Sequence, residues 1–217
     1  MVPQLWQQLN RVPAVSRMIR SSLWYEIGLD LSLGRWYRQG CPVPPPGAVK
    51  QRTVIEYGRQ FGLPNLVETG TFLGAMVMAT RNHFSRIDTI ELDHGLWERA
   101  TQLVSPYPHV HVHNGDSAVM LETIVSSLTE PALFWLDAHY SGPSTAQGGL
   151  DTPVRRELDI VLGSNERHVV LIDDARAFGT EKDYPTLEEI RQQVTRLVPK
   201  SEMSVSNDII RITPPRV

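Results

Sequence analysis

Leu66-Val67-Glu68-Thr69-Gly70-Thr71-Phe72-Leu73-Gly74 decides how the chain folds. Apolar residues run into an acid, then into two glycines four positions apart, and a helix-length amphipathic stretch follows over 74–83. This reads as a buried strand, a tight turn and a helix. The same change of period recurs downstream. Ile87 to Leu92, Val110 to Val112, Ala132 to Leu136, Val169 to Ile172 and Ile209 to Ile212 read as further strands. Amphipathic stretches near 48–60, 95–104, 117–128, 153–162 and 186–198 read as helices. Thr152-Pro153 places a cap residue before a first-turn proline, and Thr186 with Glu189 matches a capping box. Alternating strands and helices, with strands apolar on both faces, predict a parallel sheet covered on both sides. Met203 to Ser206 and Ile209 to Ile212, joined by Asn207-Asp208, predict a closing antiparallel hairpin. The expected class is α/β, a Rossmann-like open sandwich with a helical segment at its N-terminus.

With 217 residues the chain has room for one domain with a core and a short appendage. Hydrophobic residues at 41% and charged residues at 21% exclude long disorder or a coiled-coil rod. The net charge of -3 gives no electrostatic reason to expect nucleic acid as a partner. The single cysteine, Cys41, cannot form an internal disulfide, which points to a reducing, cytoplasmic setting. No apolar run reaches the roughly 18 to 20 residues of a membrane span, and no secretory signal pattern is visible.

The segment before residue 47 differs from the rest. Arg11, Arg17, Arg20, Arg35 and Arg38 outnumber Glu26 and Asp30 and are interleaved with Trp6, Trp24, Trp36 and Tyr37. Cys41-Pro42-Val43-Pro44-Pro45-Pro46-Gly47 then makes a stiff, non-helical connector. The expected division is 1–46 as an N-terminal extension and 47–217 as the main domain. A basic segment with tryptophans suits peripheral contact with an anionic membrane surface. A homodimer contact or packing on its own domain suits the irregular apolar spacing better.

In an open α/β sheet, ligands bind beyond the carboxyl ends of the strands where strand order reverses. Each apolar run ends there in acids: Glu68, Glu91 with Asp93, Asp116 with Ser117, Asp137, and Asp173 with Asp174. Glu68-Thr69-Gly70-Thr71-Phe72-Leu73-Gly74 lacks the G-x-G-x-x-G spacing for a dinucleotide pyrophosphate, and Glu68 would repel phosphate. It suits a cationic ligand, or a purely structural strand-to-helix turn. Glu91 stands where an acid accepts hydrogen bonds from ribose hydroxyls. Asp116 and Ser117 can meet an adenine edge or cap the following helix, and capping is the better reading for Ser117.

Val67 to Gly74, then Thr89-Ile90-Glu91-Leu92-Asp93, Gly115-Asp116-Ser117 and Phe134-Trp135-Leu136-Asp137, resemble the ordered motifs of class I S-adenosylmethionine-dependent methyltransferases. The resemblance covers about residues 50 to 213 and implies a mostly parallel seven-stranded sheet with an antiparallel last strand. It implies S-adenosylmethionine held by Glu68, Gly70, Thr71, Phe72, Gly74, Glu91, Asp116 and Ser117. Gly70 and Gly74 would line the methionine end, Glu68 would lie near its ammonium, Glu91 would hold the ribose, and Asp116 would face adenine.

If the strands ending in Asp137 and in Asp173-Asp174 are neighbours, three carboxylates converge and must protonate or share a cation. An all-oxygen set favours Mg²⁺ or another hard divalent ion over zinc. Alternatively, Asp173 or Asp174 caps a loop or pairs with Arg176. The pattern looks like the metal site of small cation-dependent O-methyltransferases of the catechol and macrolide-sugar types, where the ion binds the acceptor hydroxyl. Those of the catechol type carry a base lysine three residues after the first aspartate. Here that position is Tyr140, with His139 beside it as the better general base, though His139 also suits a fourth ligand or a loop hydrogen bond. Tyr140 to Asp151 is polar and glycine-rich, as in a mobile lid or a surface loop. His109, His111 and His113 alternate with valines too widely to chelate one ion, so they read as the polar face of an edge strand. His83 and His94 fall in helical stretches without partners by spacing. The expected activity is transfer of a methyl group to a hydroxyl of a small molecule or sugar, with Asp137 and His139 in the chemistry. Trp135, Tyr140 and Phe178 are available to stack on the acceptor. A cofactor-binding scaffold without catalysis, or another metal-dependent enzyme on the same sheet such as a hydrolase, are the rival readings.

Overall fold

The computed structural model describes residues 23–137, 153–164, 167–181 and 184–215, with side chains from residue 31 onward. The chain divides into two compact units, Met1–Val49 and Lys50–Val217.

In the first unit, helix α1 (Leu23–Arg38) is followed by Gly40 and Cys41, both at positive φ, and then by the first residues of helix α2 (Gly47–Phe61). The Trp36 indole donates to the Pro42 carbonyl at 2.8 Å, so its N–H is satisfied while its ring is buried. Leu33, Trp36, Ala48 and Val49 form a small cluster, with Cys41 packed against it. Trp36 is therefore a core residue of its own unit and not a membrane anchor. Arg11, Arg17, Arg20 and Trp6 lie outside the described residues.

The second unit continues α2 and adds β1 (Asn65–Thr69), α3 (Ala75–Thr80), β2 (Arg86–Glu91), α4 (His94–Val104), β3 (Val110–Asn114), α5 (Ser117–Ser127) and β4 (Ala132–Leu136). Then come α6 (Pro153–Leu162), β5 (Val169–Ile172), α7 (Leu187–Leu197), β6 (Glu202–Ser206) and β7 (Ile209–Thr213). The sheet order is β3-β2-β1-β4-β5-β7-β6. Strands β1 to β5 pair in parallel, whereas β7 runs antiparallel to both β5 and β6. Mostly parallel, seven strands, antiparallel last strand: the expected architecture is present.

Alternation along the strands builds two cores. Val67, Phe134, Leu136, Val170, Ile172 and Ile210 face α5, α6 and α7 through Leu121, Leu158, Val161 and Ile190. Their neighbours Leu66, Leu133, Trp135, Val169, Leu171 and Ile209 face the other way, packing with Val54 of α2, Val77 of α3 and Val104 of α4. Trp135 and Phe178 are both buried, so neither is available to stack on a ligand. The capping box at α7 is complete: Thr186 accepts from the Glu189 amide, and the Glu189 carboxylate accepts from Thr186. Helix α3 ends at Thr80, earlier than the expected 83, which puts His83 in the following turn. Strand β3 is an edge of the sheet, and its histidines are its polar dressing. His113 Nε2 lies 2.8 Å from Asp88 Oδ1, and His109 Nε2 lies 2.8 Å from the Arg81 carbonyl.

Candidate cofactor and metal site

Strand order reverses between β1 and β4, so the turn after β1 faces the end of β4. Gly70 sits there at φ 85, its N–H donating to the Ile90 carbonyl at 3.0 Å. A Cβ built on Gly70 would lie 3.3 Å from Cβ of Asp137. The left-handed backbone and this close approach both require glycine. Gly74 has a different reason. It caps α3 at φ 72, and a Cβ there would meet Leu103 of α4 at 2.8 Å, so this glycine serves helix-to-turn packing.

Glu91 ties two turns together. One carboxylate oxygen accepts from the Phe72 N–H at 2.7 Å and the other from the Asp93 N–H at 2.9 Å. Each oxygen keeps a lone pair, so the group still suits a ribose diol. Phe72 is held at φ 48 by this contact and its side chain is 62% exposed at the sheet edge. A non-glycine residue in that conformation is a feature the surroundings must maintain.

Glu68 and Thr71 point inward. The Thr89 hydroxyl donates to Glu68 at 2.6 Å and lies 2.6 Å from the Thr71 hydroxyl. Burial pushes the Glu68 carboxyl up to about 8, against the Thr89 hydrogen bond, with Asp137 and Glu91 adding to the rise. Glu68 is thus a neutral acid beneath the turn at pH 7, ready to ionise when a positive charge approaches. On the far side of Gly70, Asp116 rather than Ser117 caps α5, accepting from the Val119 N–H at 3.2 Å. Ser117 is the first helical residue, and its side chain lies close enough to Glu157 of α6 to favour that carboxyl's charged form. Glu157 is buried, which pushes its carboxyl up to about 7; Asp116 and Asp137 add to this, and Ser117 opposes it. The Thr69 hydroxyl lies near enough to favour the charged form without meeting hydrogen-bond geometry.

Asp137, Asp173 and Asp174 do converge. One carboxylate oxygen from each lies within 4.8 Å of the others. Strands β4 and β5 pair in parallel, with Leu136 opposite Ile172, so register places the residues that follow side by side. Asp174, at φ 55, turns the chain back so that its carboxylate meets that of Asp173. Two cations already answer this charge. Lys50 Nζ lies 2.5 Å from Asp173 Oδ2 and 3.3 Å from Asp174 Oδ1. Arg176 Nη1 lies 2.7 Å from Asp174 Oδ1 and also bonds Asp208. Asp174 is therefore both a member of the cluster and a partner of Arg176. Burial pushes the Asp173 carboxyl up to about 6, Lys50 pulling it down and Asp174 and Asp137 pushing it further. Among the described residues the donors are three carboxylates, and such a set fits a hard divalent ion. The turn fits a nucleoside with a cationic tail, given the Gly70 cradle, the spare acceptors of Glu91 and the ionisable Glu68.

His139, Tyr140 and the expected lid over 140–151 lie outside the described residues. Lys50 and Glu157 line the candidate site and were missed by sequence reasoning. Lys50 and Glu157 sit inside amphipathic helices, where nothing local marks them, and reach the site only through tertiary packing. Arg176 pairs with Asp174, as the sequence allows, but its bond to Asp208 in the β6-β7 turn cannot be read from spacing.

The arrangement is that of the class I S-adenosylmethionine-dependent methyltransferase fold. An O-methyltransferase from Bacillus cereus, solved with S-adenosylhomocysteine, superposes with a TM-score of 0.55 at 15% identity, covering 85% of this chain and 90% of that one. The O-methyltransferase TomG from Streptomyces achromogenes, involved in tomaymycin synthesis and solved with S-adenosylmethionine, gives 0.55 at 16% identity, covering 86% and 89%. A candidate rRNA methylase from Clostridium thermocellum gives 0.51 at 8% identity, covering 73% and 92%. No protein-family model and no curated protein sequence matches the chain. The third likeness corrects one expectation: a fold shared with a candidate rRNA methylase does not exclude nucleic acid as a partner. No helix among the described residues is long and apolar enough to cross a membrane.

Proposed function

We propose that the protein is an S-adenosylmethionine-dependent O-methyltransferase acting on a hydroxyl of a small molecule or sugar, assisted by Mg²⁺ or another hard divalent ion. The observation that carries this reading is the convergence of Asp137, Asp173 and Asp174 within 4.8 Å, beside the Gly70 turn. The cofactor supplies a methyl group on a sulfonium, and the ion supplies positive charge for the acceptor oxygen. Glu91 receives the ribose hydroxyls, and Glu68, ionising, faces the ammonium. Gly70 leaves room for close approach between turn and ligand. Asp137, Asp173 and Asp174 hold the ion, and His139 takes the hydroxyl proton as the oxygen is methylated. Holding donor and acceptor at near-attack distance supplies several kcal/mol of the barrier. The two O-methyltransferases of the same fold, each covered across most of its length, support this reading.

The test is Asp137→Asn. Turnover on hydroxylated acceptors should vanish while calorimetric binding of S-adenosylhomocysteine stays close to wild type. Loss of both to the same degree would remove Asp137 from the chemistry and make it part of the cofactor pocket.

A further inference from the structure

The chain has three lysines, Lys50, Lys182 and Lys200, against eighteen arginines. One of the three is held on two of the three clustered aspartates. Lys50 is the fourth residue of α2, and that helix delivers its side chain to the end of β5. Its partners Asp173 and Asp174 are 3% and 4% exposed, whereas its own side chain retains 20%. The ammonium is held from a partly open side, on a four-carbon stem.

A lysine here is a different choice from an arginine. Arginine forks onto a carboxylate and stays, as Arg176 does between Asp174 and Asp208. Lysine brings one compact charge with no fixed geometry. Two carboxylates within bonding distance, Asp173 and Asp174, favour an ammonium here over a neutral amine base. Lys50 acts as a cation.

A divalent ion would coordinate these same oxygens at about 2.0 to 2.6 Å. Nζ already stands 2.5 Å from Asp173 Oδ2 and 3.3 Å from Asp174 Oδ1. An ammonium and a divalent ion on the same oxygens would stand only about 4 Å apart and repel each other strongly. We propose that Lys50 is the resident counter-ion of the aspartate cluster and competes directly with the divalent ion for Asp173 and Asp174. In metal-free protein it keeps the buried carboxylates assembled; when an ion enters, the ammonium is displaced toward solvent. The affinity of the site for metal is thereby set by a residue that is not one of its ligands. This rests on the metal reading of Asp137, Asp173 and Asp174.

The experiment is Mn²⁺ titration followed by electron paramagnetic resonance, in which bound ion loses the six-line signal of free Mn²⁺. It is run on wild type, Lys50→Met, Lys50→Arg and Asp137→Asn. Lys50→Met should bind Mn²⁺ at least about tenfold more tightly than wild type, since a competing charge within bonding distance has gone. Lys50→Arg should bind no more tightly than wild type. In wild type, amine-directed labelling read by mass spectrometry should show Lys50 becoming more reactive on Mn²⁺ addition, with Lys182 and Lys200 unchanged. That readout needs no substitution and no turnover. Equal or weaker Mn²⁺ binding by Lys50→Met, with binding still lost in Asp137→Asn, would overturn the competition and leave the metal site standing. Lys50 labelling that does not respond to bound Mn²⁺ would overturn it as well. Absence of Mn²⁺ binding in both wild type and Lys50→Met would overturn the competition and the metal reading together.

Discussion

Glu157→Gln should make the protein more stable at alkaline pH and change it little in acid. The Glu157 carboxyl is buried among Ser117, Thr69, Asp116 and Asp137, and burial pushes it up to about 7 from an ordinary 4.5. Between those two values the unfolded chain has lost the proton while the folded protein keeps it. The folded state then binds more protons, so stability falls as pH rises from the unfolded value through the folded one. At about 1.4 kcal/mol per pH unit, the full interval removes about 3 kcal/mol by pH 8. Glutamine keeps the shape and the hydrogen-bonding capacity but cannot ionise, so the loss disappears. A chain of this length moves about 2 to 4 °C in melting temperature per kcal/mol. The gap between variant and wild type should therefore widen by about 5 to 10 °C between pH 5 and pH 8.5. Thermal unfolding across that range, with both proteins in identical buffers, measures it. Glu68 and Asp173 also titrate abnormally, but they are present in both proteins and cancel in the difference. Two curves that stay parallel from pH 5 to 8.5 would show that Glu157 is not held neutral, and the account of its surroundings would fail.

Gly70→Ala should lower stability by about 1 to 2 kcal/mol from the left-handed backbone alone, and should weaken S-adenosylhomocysteine binding because its Cβ takes the room the turn leaves for the ligand. Gly62→Ala is the matched control, at φ 61 with no atom within 4 Å of the added carbon, and should lose stability but keep affinity. If the two variants bind the ligand alike, Gly70 has no place at the cofactor turn. Binding of S-adenosylhomocysteine at pH 7 should release close to one proton (about 0.9) as Glu68 ionises beside the ligand ammonium. Calorimetry in buffers of different ionisation heat reads this number, and Glu68→Gln should abolish it; a heat independent of buffer would show that Glu68 does not face the ammonium.

How far the sequence reached is clearest at particular residues. Strands β4 and β5 were legible because each is an apolar run of strand length followed by an acid, and burial on both faces leaves little choice of side chain; β1 and β2 rested on shorter apolar signals, Leu66-Val67 and Ile87 with Ile90, each leading into an acid. The hairpin β6-β7 was legible from Asn207-Asp208, residues that tolerate the positive φ they adopt. Convergence of Asp137 with Asp173-Asp174 followed from strand pairing, since parallel register carries whatever follows two neighbouring strands to one edge. The end of α3 was missed because Arg81-Asn82-His83 contains neither glycine nor proline to mark the stop.

Periodicity alone determined the layers of this protein, because hydrophobic spacing is a local property that each strand and helix carries with it. Only tertiary structure decided which charges answer which. Glu91 holds backbone amides of two turns, burial pushes the Glu157 carboxyl up, and Lys50 reaches 123 residues along the chain to Asp173. Electrostatic partnership depends on distance in space and on the water removed around a charge. Neither is written in the spacing of residues along a helix.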